Sequence, residues 1–328
     1  GHTDVVEHLK NAMKMDKVSH AYIFNGEKGC GKKTLAREFA RALQCQGEGE
    51  KPCGMCQSCR QAEGHNQPDI IEVTHDKLNT IGVDDIREQV VADVQVRPYS
   101  SPYKVYIIPD AEKMNQQAQN ALLKTIEEPP EYVVILLLTT NSAAFLPTIL
   151  SRCVMLNMKP ASDELVRKYL MEHVQIPDYE ADICVAFAQG NIGKAEAIVS
   201  SEEFQDLKEL TLSILRYIHE IESYEIADKV KEYKKYKNRI EDFFDIFLMW
   251  FRDIMLLKAD NSVNAEAAKK KIIFKNEYAY LKKQVDKLDL EAIDYVIGKI
   301  HRARVRIKSN VNFDATLELL IVEARREF

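Results

Sequence analysis

The stretch Val18–Thr34, VSHAYIFNGEKGCGKKT, constrains this chain more than any other. Ala21 to Asn25 is a short apolar run that reads as a buried strand, and it passes directly into Gly26-Glu27-Lys28-Gly29-Cys30-Gly31-Lys32. A helix is expected to follow from Thr34 to Leu43. A strand, a glycine-rich turn and a helix build a phosphate cradle. The glycines let backbone N–H groups crowd round an anion at the positive end of the helix. Gly26, Gly29, Gly31 and Lys32 are therefore candidate ligands of a phosphate, in the structural context a P-loop requires.

One position departs from the pattern. A hydroxyl residue is required straight after the lysine to hold Mg²⁺, but Lys33 stands there and Thr34 comes one residue later. Successive helical residues are rotated by roughly 100°, so Thr34 is poorly aimed to replace the missing ligand. The alternative to a nucleotide site is a glycine turn that packs a helix on a sheet.

The chain has 328 residues, too many for one compact core, so two or three domains are expected. A net charge of −6 argues against a chain that sheathes nucleic acid along its whole length, while leaving room for a local basic patch. No run of about 18 apolar residues is present, so no membrane span is expected. No secretory signal is expected at the N-terminus either. Gly1 stands where a methionine would start a chain, as a tag remnant or a truncation.

Four of the seven cysteines, Cys45, Cys53, Cys56 and Cys59, fall in one short stretch, while Cys30, Cys153 and Cys184 are isolated. Clustered thiols in a chain with a P-loop and no secretory signal point to a metal site and away from disulfides. Four thiolates suit tetrahedral structural Zn²⁺, with no open position left for chemistry. A loop of free thiols is the plainer alternative.

In chain order, Asp4 to Met15 reads as an amphipathic helix, Asp69 to Val73 as a short strand, and Val83 to Val91 as a helix. Lys104 to Ile108 is a central strand. Met114 to Glu127 is a helix stopped by Pro129 and Pro130, and Val133 to Thr139 is another buried strand. Strands alternating with helices indicate a parallel sheet covered on both faces, an α/β fold. The strand ending at Ile108 is expected to carry the second half of an ATPase site, an acidic pair that holds the metal shell and activates water. Here Pro109 takes the metal-holding place and Asp110 the water-activating one. Binding of ATP with Mg²⁺ is thus a weakened expectation, and hydrolysis more so.

Ser19-His20-Ala21-Tyr22-Ile23-Phe24, the glycine loop, the four cysteines, the run Ala118 to Pro130 and Ser151-Arg152-Cys153 together resemble the AAA+ clamp-loader subunits of bacterial DNA polymerase III. Within that family the GKK loop and the Pro109-Asp110 replacement look like the delta-prime type, whereas the tau/gamma motor type keeps intact motifs. The likeness is strong over about residues 1–200. It implies an AAA+ domain over 1–159 with a zinc module at about 45–59, a helical lid over 160–201 and an all-helical collar over 202–328.

The resemblance also implies roles. Arg152 would act as an arginine finger in a neighbouring subunit's ATP site. Thr139, Thr140 and Asn141 fall at the sensor-1 strand end, and Lys194 falls where a sensor-2 arginine is usual. The implied partners are tau/gamma and delta subunits in a hetero-oligomeric ring, with the sliding clamp and primer-template DNA reached through the complex, in the cytoplasm. An active tau/gamma-like ATPase, rescued by Thr34 and Glu112, is the alternative. A zinc-containing DNA-binding protein with a vestigial P-loop is a more distant one.

Beyond Pro160, Leu165, Tyr169 and Leu170 are expected to face inward on a first lid helix, with a second over Tyr179 to Ala188. Ile240 to Ala259 is so apolar that it must be largely buried. Leu290 to Ile307 and Asp314 to Arg326 are the last helices. The lysines between Lys229 and Arg239 read most simply as a solvated face.

Overall fold

The computed structural model describes residues 2–77, 79–259, 268–269 and 271–328, with Asp178 and Tyr179 described by their backbone alone. Gly1 lies outside the described residues. The chain divides into two compact units, Gly1–Ser162 with Gly190–Gly193, and Asp163–Gln189 with Lys194–Phe328.

The first unit is built on a five-stranded sheet in the order β2-β3-β4-β1-β5, with β1 at Ala21–Asn25, β2 at Ile70–Glu72, β3 at Lys104–Ile108, β4 at Val133–Thr139 and β5 at Val154–Asn157. Every pairing is parallel, and the registers align Ile23 with Leu137 and Met155, and Ile108 with Leu137. The two-residue period of a strand sends Ala21 and Ile23 to one face and Tyr22 and Phe24 to the other. Each face has its own core. Ile135 and Leu137 join Ile86, Val90, Leu122 and Ile126 on one side, and Val134, Leu136 and Leu138 join Leu9, Phe39 and Leu43 on the other. Sheets buried on both faces read as continuous apolar runs, which is why VVILLLT is legible as a strand.

The covering helices are α1 (Thr3–Lys14), α2 (Lys32–Gln44), α3 (Gln57–Glu63), α4 (Val83–Ile86), α5 (Gln116–Glu127) and α6 (Pro147–Leu150). The helix expected over Val83 to Val91 is two pieces, since α4 gives way to a wider π turn at Arg87–Val91 that turns Val90 into the core. Helix α5 starts two residues later than expected, because Asn115 caps it by accepting from Ala118 N–H at 2.8 Å.

The second unit is helical among its described residues: α7 (Asp163–Tyr169), α8 (Asp178–Ala188), α9 (Ile192–Val199), α10 (Glu202–Arg216), α11 (Ser223–Glu232), α12 (Ile240–Ala259), then α13 (Tyr278–Val285), α14 (Leu290–Lys308) and α15 (Phe313–Arg326). Leu170 is fully buried as expected and Tyr169 is half-buried, but on the first turn of α7 the inward residue is Val166, fully buried, while Leu165 is 45% exposed. Lysines of the 229–239 run pair outward, Lys231 with Asp228 and Lys234 with Asp314, as a solvated face does. No helix of the described residues is long and apolar enough to cross a membrane.

Helix α12 buries Phe243, Phe244, Phe247, Trp250, Phe251 and Ile254, and Trp250 Nε1 donates to Gln284 Oε1 at 2.8 Å. Among these apolar residues lies one carboxylate, Asp253, which is fully buried. Its Oδ2 accepts from Ile273 N–H at 2.8 Å and Phe274 N–H at 2.9 Å, and its Oδ1 from Arg252 at 3.1 Å. Burial pushes the carboxyl up to about 6, against those donors, which pull it down. A raised folded pKa favours the protonated form, so this group's contribution is full below about pH 4 and is lost as pH rises through 6. We therefore expect Asp253→Asn to gain stability relative to the unmodified chain between pH 4 and 7, by up to roughly 3 kcal/mol. Urea unfolding at several pH values measures it, and parallel curves for the two proteins would refute it.

Candidate functional site

In a parallel sheet the loop leaving each strand lies at one edge and the segment entering it at the other. The P-loop leaves β1 after Asn25 at the C-terminal edge and is tied to β4 by Gly26 N–H donating to Thr139 O at 3.1 Å. Gly29 (φ +86°) and Gly31 (φ +94°) take left-handed conformations that favour glycine. Lys32 folds back onto the loop, its Nζ 2.6 Å from Gly26 O and 2.7 Å from Glu27 O.

Lys33, at the place of the metal-holding hydroxyl, pairs with Glu72 Oε1 at the end of β2. Glu72 Oε2 also accepts from Arg37 Nη2 at 2.6 Å and Nε at 3.2 Å. Burial alone would raise Glu72, but Lys33 and Arg37 outweigh it and hold the carboxyl below its usual value. Thr34 lines a groove with Arg37, Glu38, Arg41 and Glu72. The Lys33–Glu72–Arg37 cluster has no signature in the sequence, because nothing local links residues so far apart in the chain.

At the end of β3, Asp110 adopts φ +47° and accepts from Lys113 Nζ at 2.9 Å. That hydrogen bond, opposed by burial and reinforced by His75 and Lys28, keeps its carboxyl below the usual range. Glu112 Oε1 is taken by Thr140, from Oγ1 at 2.6 Å and N–H at 3.2 Å. Asp110 and Thr140 thus lie at the same sheet edge as the P-loop. Thr139 is buried and accepts from Asn141 N–H at 3.0 Å. Lys194 lies on α9 and belongs to the second unit.

Arg152 lies at the opposite edge. Val154 pairs with Tyr22, so Arg152 is level with His20, before β1 begins. The five residues of β1 separate it from the P-loop, roughly 17 Å at about 3.3 Å per residue. Its Nη2 meets Glu127 Oε1 at 3.1 Å and its Nη1 donates to Thr148 O at 3.0 Å, with the side chain 40% exposed.

The four cysteines come together. Cys45 at the end of α2, Cys53 and Cys56 in the adjoining loop and Cys59 in α3 place their Sγ atoms within 4.8 Å of one another. Three N–H groups point at sulfur: Cys53 to Cys45 Sγ at 3.3 Å, Cys56 to Cys53 Sγ at 3.4 Å and Cys59 to Cys56 Sγ at 3.4 Å. A tetrahedron with bonds of about 2.3 Å has edges of about 3.8 Å, which this cluster accommodates, so it could bind a metal ion. N–H groups of Cys59 and Gln46 draw the Cys56 thiol down to about 6, while burial pushes Cys59 up to about 12. Four neighbouring thiolates need a central cation to be ionised together.

A parallel sheet with a P-loop after β1, an acid-bearing strand β3 separated from β1 by β4, and a helical second half is a P-loop fold of the AAA+ class. Residues 1–162 match the family described as DNA polymerase III, delta subunit, and this part of the chain belongs to that family. It is 27% identical over 325 residues to the DNA polymerase III subunit delta' of Bacillus subtilis, covering 97% of this chain and 94% of the relative. It is 36% identical over 198 residues to the subunit tau/gamma of Haemophilus influenzae, covering 58% of this chain and 28% of that protein. It is 38% identical over 175 residues to the subunit tau of Escherichia coli, covering 53% of this chain and 27% of that protein. The chain thus spans little more than a quarter of the length of these two tau-type relatives.

The loop leaves no room at Gly26, where a Cβ would lie 2.8 Å from Met158 Cβ and 3.0 Å from Cys30 Sγ. Gly26→Ala is expected to cost about 1–3 kcal/mol by crowding. Denaturant titration checks this, and an unchanged midpoint would contradict it.

Proposed function

We propose that this chain is a delta-prime-like subunit of the DNA polymerase III clamp loader, a stator that lends Arg152 to a neighbour's ATP site while turning over no ATP of its own. The observation that carries this reading is the placement of Arg152 across the sheet from the chain's own P-loop. A guanidinium there is too far from its own loop to serve it, and it is partly open to solvent. Its present hold on Glu127 is a surface ion pair of the kind worth about 0–1 kcal/mol. Giving it up to a neighbour's phosphate oxygens therefore costs little.

On the nucleotide side, a fixed ammonium at Lys33 and a proline at Pro109 replace two anchors of Mg²⁺, while Lys113 engages Asp110 and Thr140 engages Glu112. Both changes disfavour turnover. In this reading residues 160–201 form the lid and 202–328 the collar of a hetero-oligomeric ring with tau/gamma and delta subunits, in the cytoplasm. The sliding clamp and primer-template DNA are met through the complex.

A tau/gamma-like motor is the second reading, favoured by the 36–38% identity to tau-type relatives over 175–198 residues. ATP hydrolysis separates the two. The isolated chain is expected to show none above background, and Arg152→Ala to leave folding and assembly intact while removing one site's share of ATP turnover from the complex. Arginine fingers contribute about 10³–10⁵ in rate at a single site. Steady hydrolysis by the isolated chain that disappears in Lys32→Ala would establish the motor. Equal turnover by Arg152→Ala and unmodified complexes would remove the finger.

The four cysteines are read as a structural Zn²⁺ site, where the ion's charge stabilises four thiolates and joins the end of α2 to the start of α3. About one Zn²⁺ per chain is expected by elemental analysis, falling to near zero in a Cys56→Ser, Cys59→Ser double variant. Metal-free protein with four freely titrating thiols in this loop would refute it.

A further inference from the structure

The outer, carbonyl side of the P-loop is held along its whole length. Gly26 O and Glu27 O accept from Lys32, Lys28 O accepts from Asn191 Nδ2 at 2.7 Å, and Gly29 O accepts from Gly193 N–H at 3.1 Å. Cys30 O lies 2.7 Å from His2 Nε2. Five consecutive carbonyls therefore carry donors, and three of those donors come from segments remote in the chain. One is His2 and the others belong to the Gly190–Gly193 strap, which packs with the first unit.

The strap is shaped to lie there. Asn191 is 5% exposed. A Cβ at Gly193 would stand 2.8 Å from Gly29 O and 2.9 Å from Gly29 Cα, both backbone atoms that cannot give way. At its other end Gly190 takes φ +82°, accepts from Ala161 N–H at 2.8 Å, and would bring a Cβ to 2.4 Å from Ala161 O. None of these contacts serves phosphate binding, which uses the inward N–H groups of such a loop.

We propose that in this chain the P-loop works as a clasp. Its carbonyls fasten the Gly190–Gly193 strap and the amino-terminal His2 to the sheet edge, and the three segments open and close as one cooperative unit. Asn191, Gly193 and His2 are positioning residues for the loop. The carbonyls hold backbone and side chain while the inward N–H groups of the loop are left to it. This goes beyond the clamp-loader reading and does not depend on it, because it concerns the isolated chain.

Hydrogen exchange read by mass spectrometry on the full chain tests the clasp, tracking peptides that contain the amides of Cys30, Ala161 and Gly193. Asn191→Ala is expected to speed exchange at least tenfold in peptides covering both 26–32 and 190–193, with β3 and β4 unchanged. His2→Ala touches the loop alone, yet it is expected to loosen the strap too. Gly193→Ala is expected to reproduce the pattern by steric displacement. Faster exchange confined to the mutated segment, in either the Asn191 or the His2 variant, would overturn the proposal. So would unchanged exchange in both. If Asn191→Ala fails to fold, the His2 variant decides the question by itself.

Discussion

The direction shared by five strands is the constraint on which the first unit depends. Because every pairing is parallel, the segments that enter the strands and those that leave them collect at opposite edges of the sheet. The P-loop, Asp110 and Thr140 all leave strands and gather at one edge. Arg152 precedes β5 and is carried to the other by the Tyr22–Val154 register. Antiparallel placement of β5 would have put the arginine beside its own loop. The registers are enforced by burial on both faces, since a slip by one residue would exchange Tyr22 and Phe24 with Ala21 and Ile23 across cores of different shape.

Within that frame, charge decides what the loop can hold. A divalent cation needs oxygen ligands, and in the delta-prime-like reading the two positions that would supply them hold a lysine and a proline. The ammonium of Lys33 is turned away from the loop. Glu72 draws it to the end of β2, where Arg37 shares the same carboxylate. The acids at the end of β3 are likewise held, one by Lys113 and one by Thr140. At this edge Lys33, Asp110 and Glu112 are thus each engaged by a side chain of the same chain.

The parts of the fold legible in the sequence are those with short-range signals. The strands Ala21–Asn25, Lys104–Ile108 and Val133–Thr139 and the helix Ile240–Ala259 have the bounds read from their apolar patterns. The four cysteines are legible because metal-ligand spacing is local, and their sulfurs do converge. Leu170, just beyond α7, is buried as expected, but the inward placing of Leu165 is not borne out, because Leu165 and Val166 are both apolar, and pattern alone does not rank adjacent apolar residues. Contacts between distant segments leave no signal. By sequence Glu72 is an ordinary strand-end acid, and neither Asn191 nor His2 carries a mark of its contacts. Gly193 is the one clue, a second glycine where one would end a helix.

Asp253 has a consequence for the making of the chain. Helix α12 is 20 residues long and rich in phenylalanine and leucine, the length of a membrane-crossing segment. As it leaves the ribosome it has no second unit to bury it. The cellular insertion machinery weighs each charge near the centre of such a segment at about 2.5–3.5 kcal/mol against entry into lipid. Asp245, Arg252 and Asp253 all lie in its interior. In the unfolded chain these charges weigh against entry of the helix into lipid, and in the folded one Asp253 is the buried acceptor for Ile273 and Phe274. The same side chain counts against lipid in the unfolded chain and ties two backbone N–H groups in the finished one.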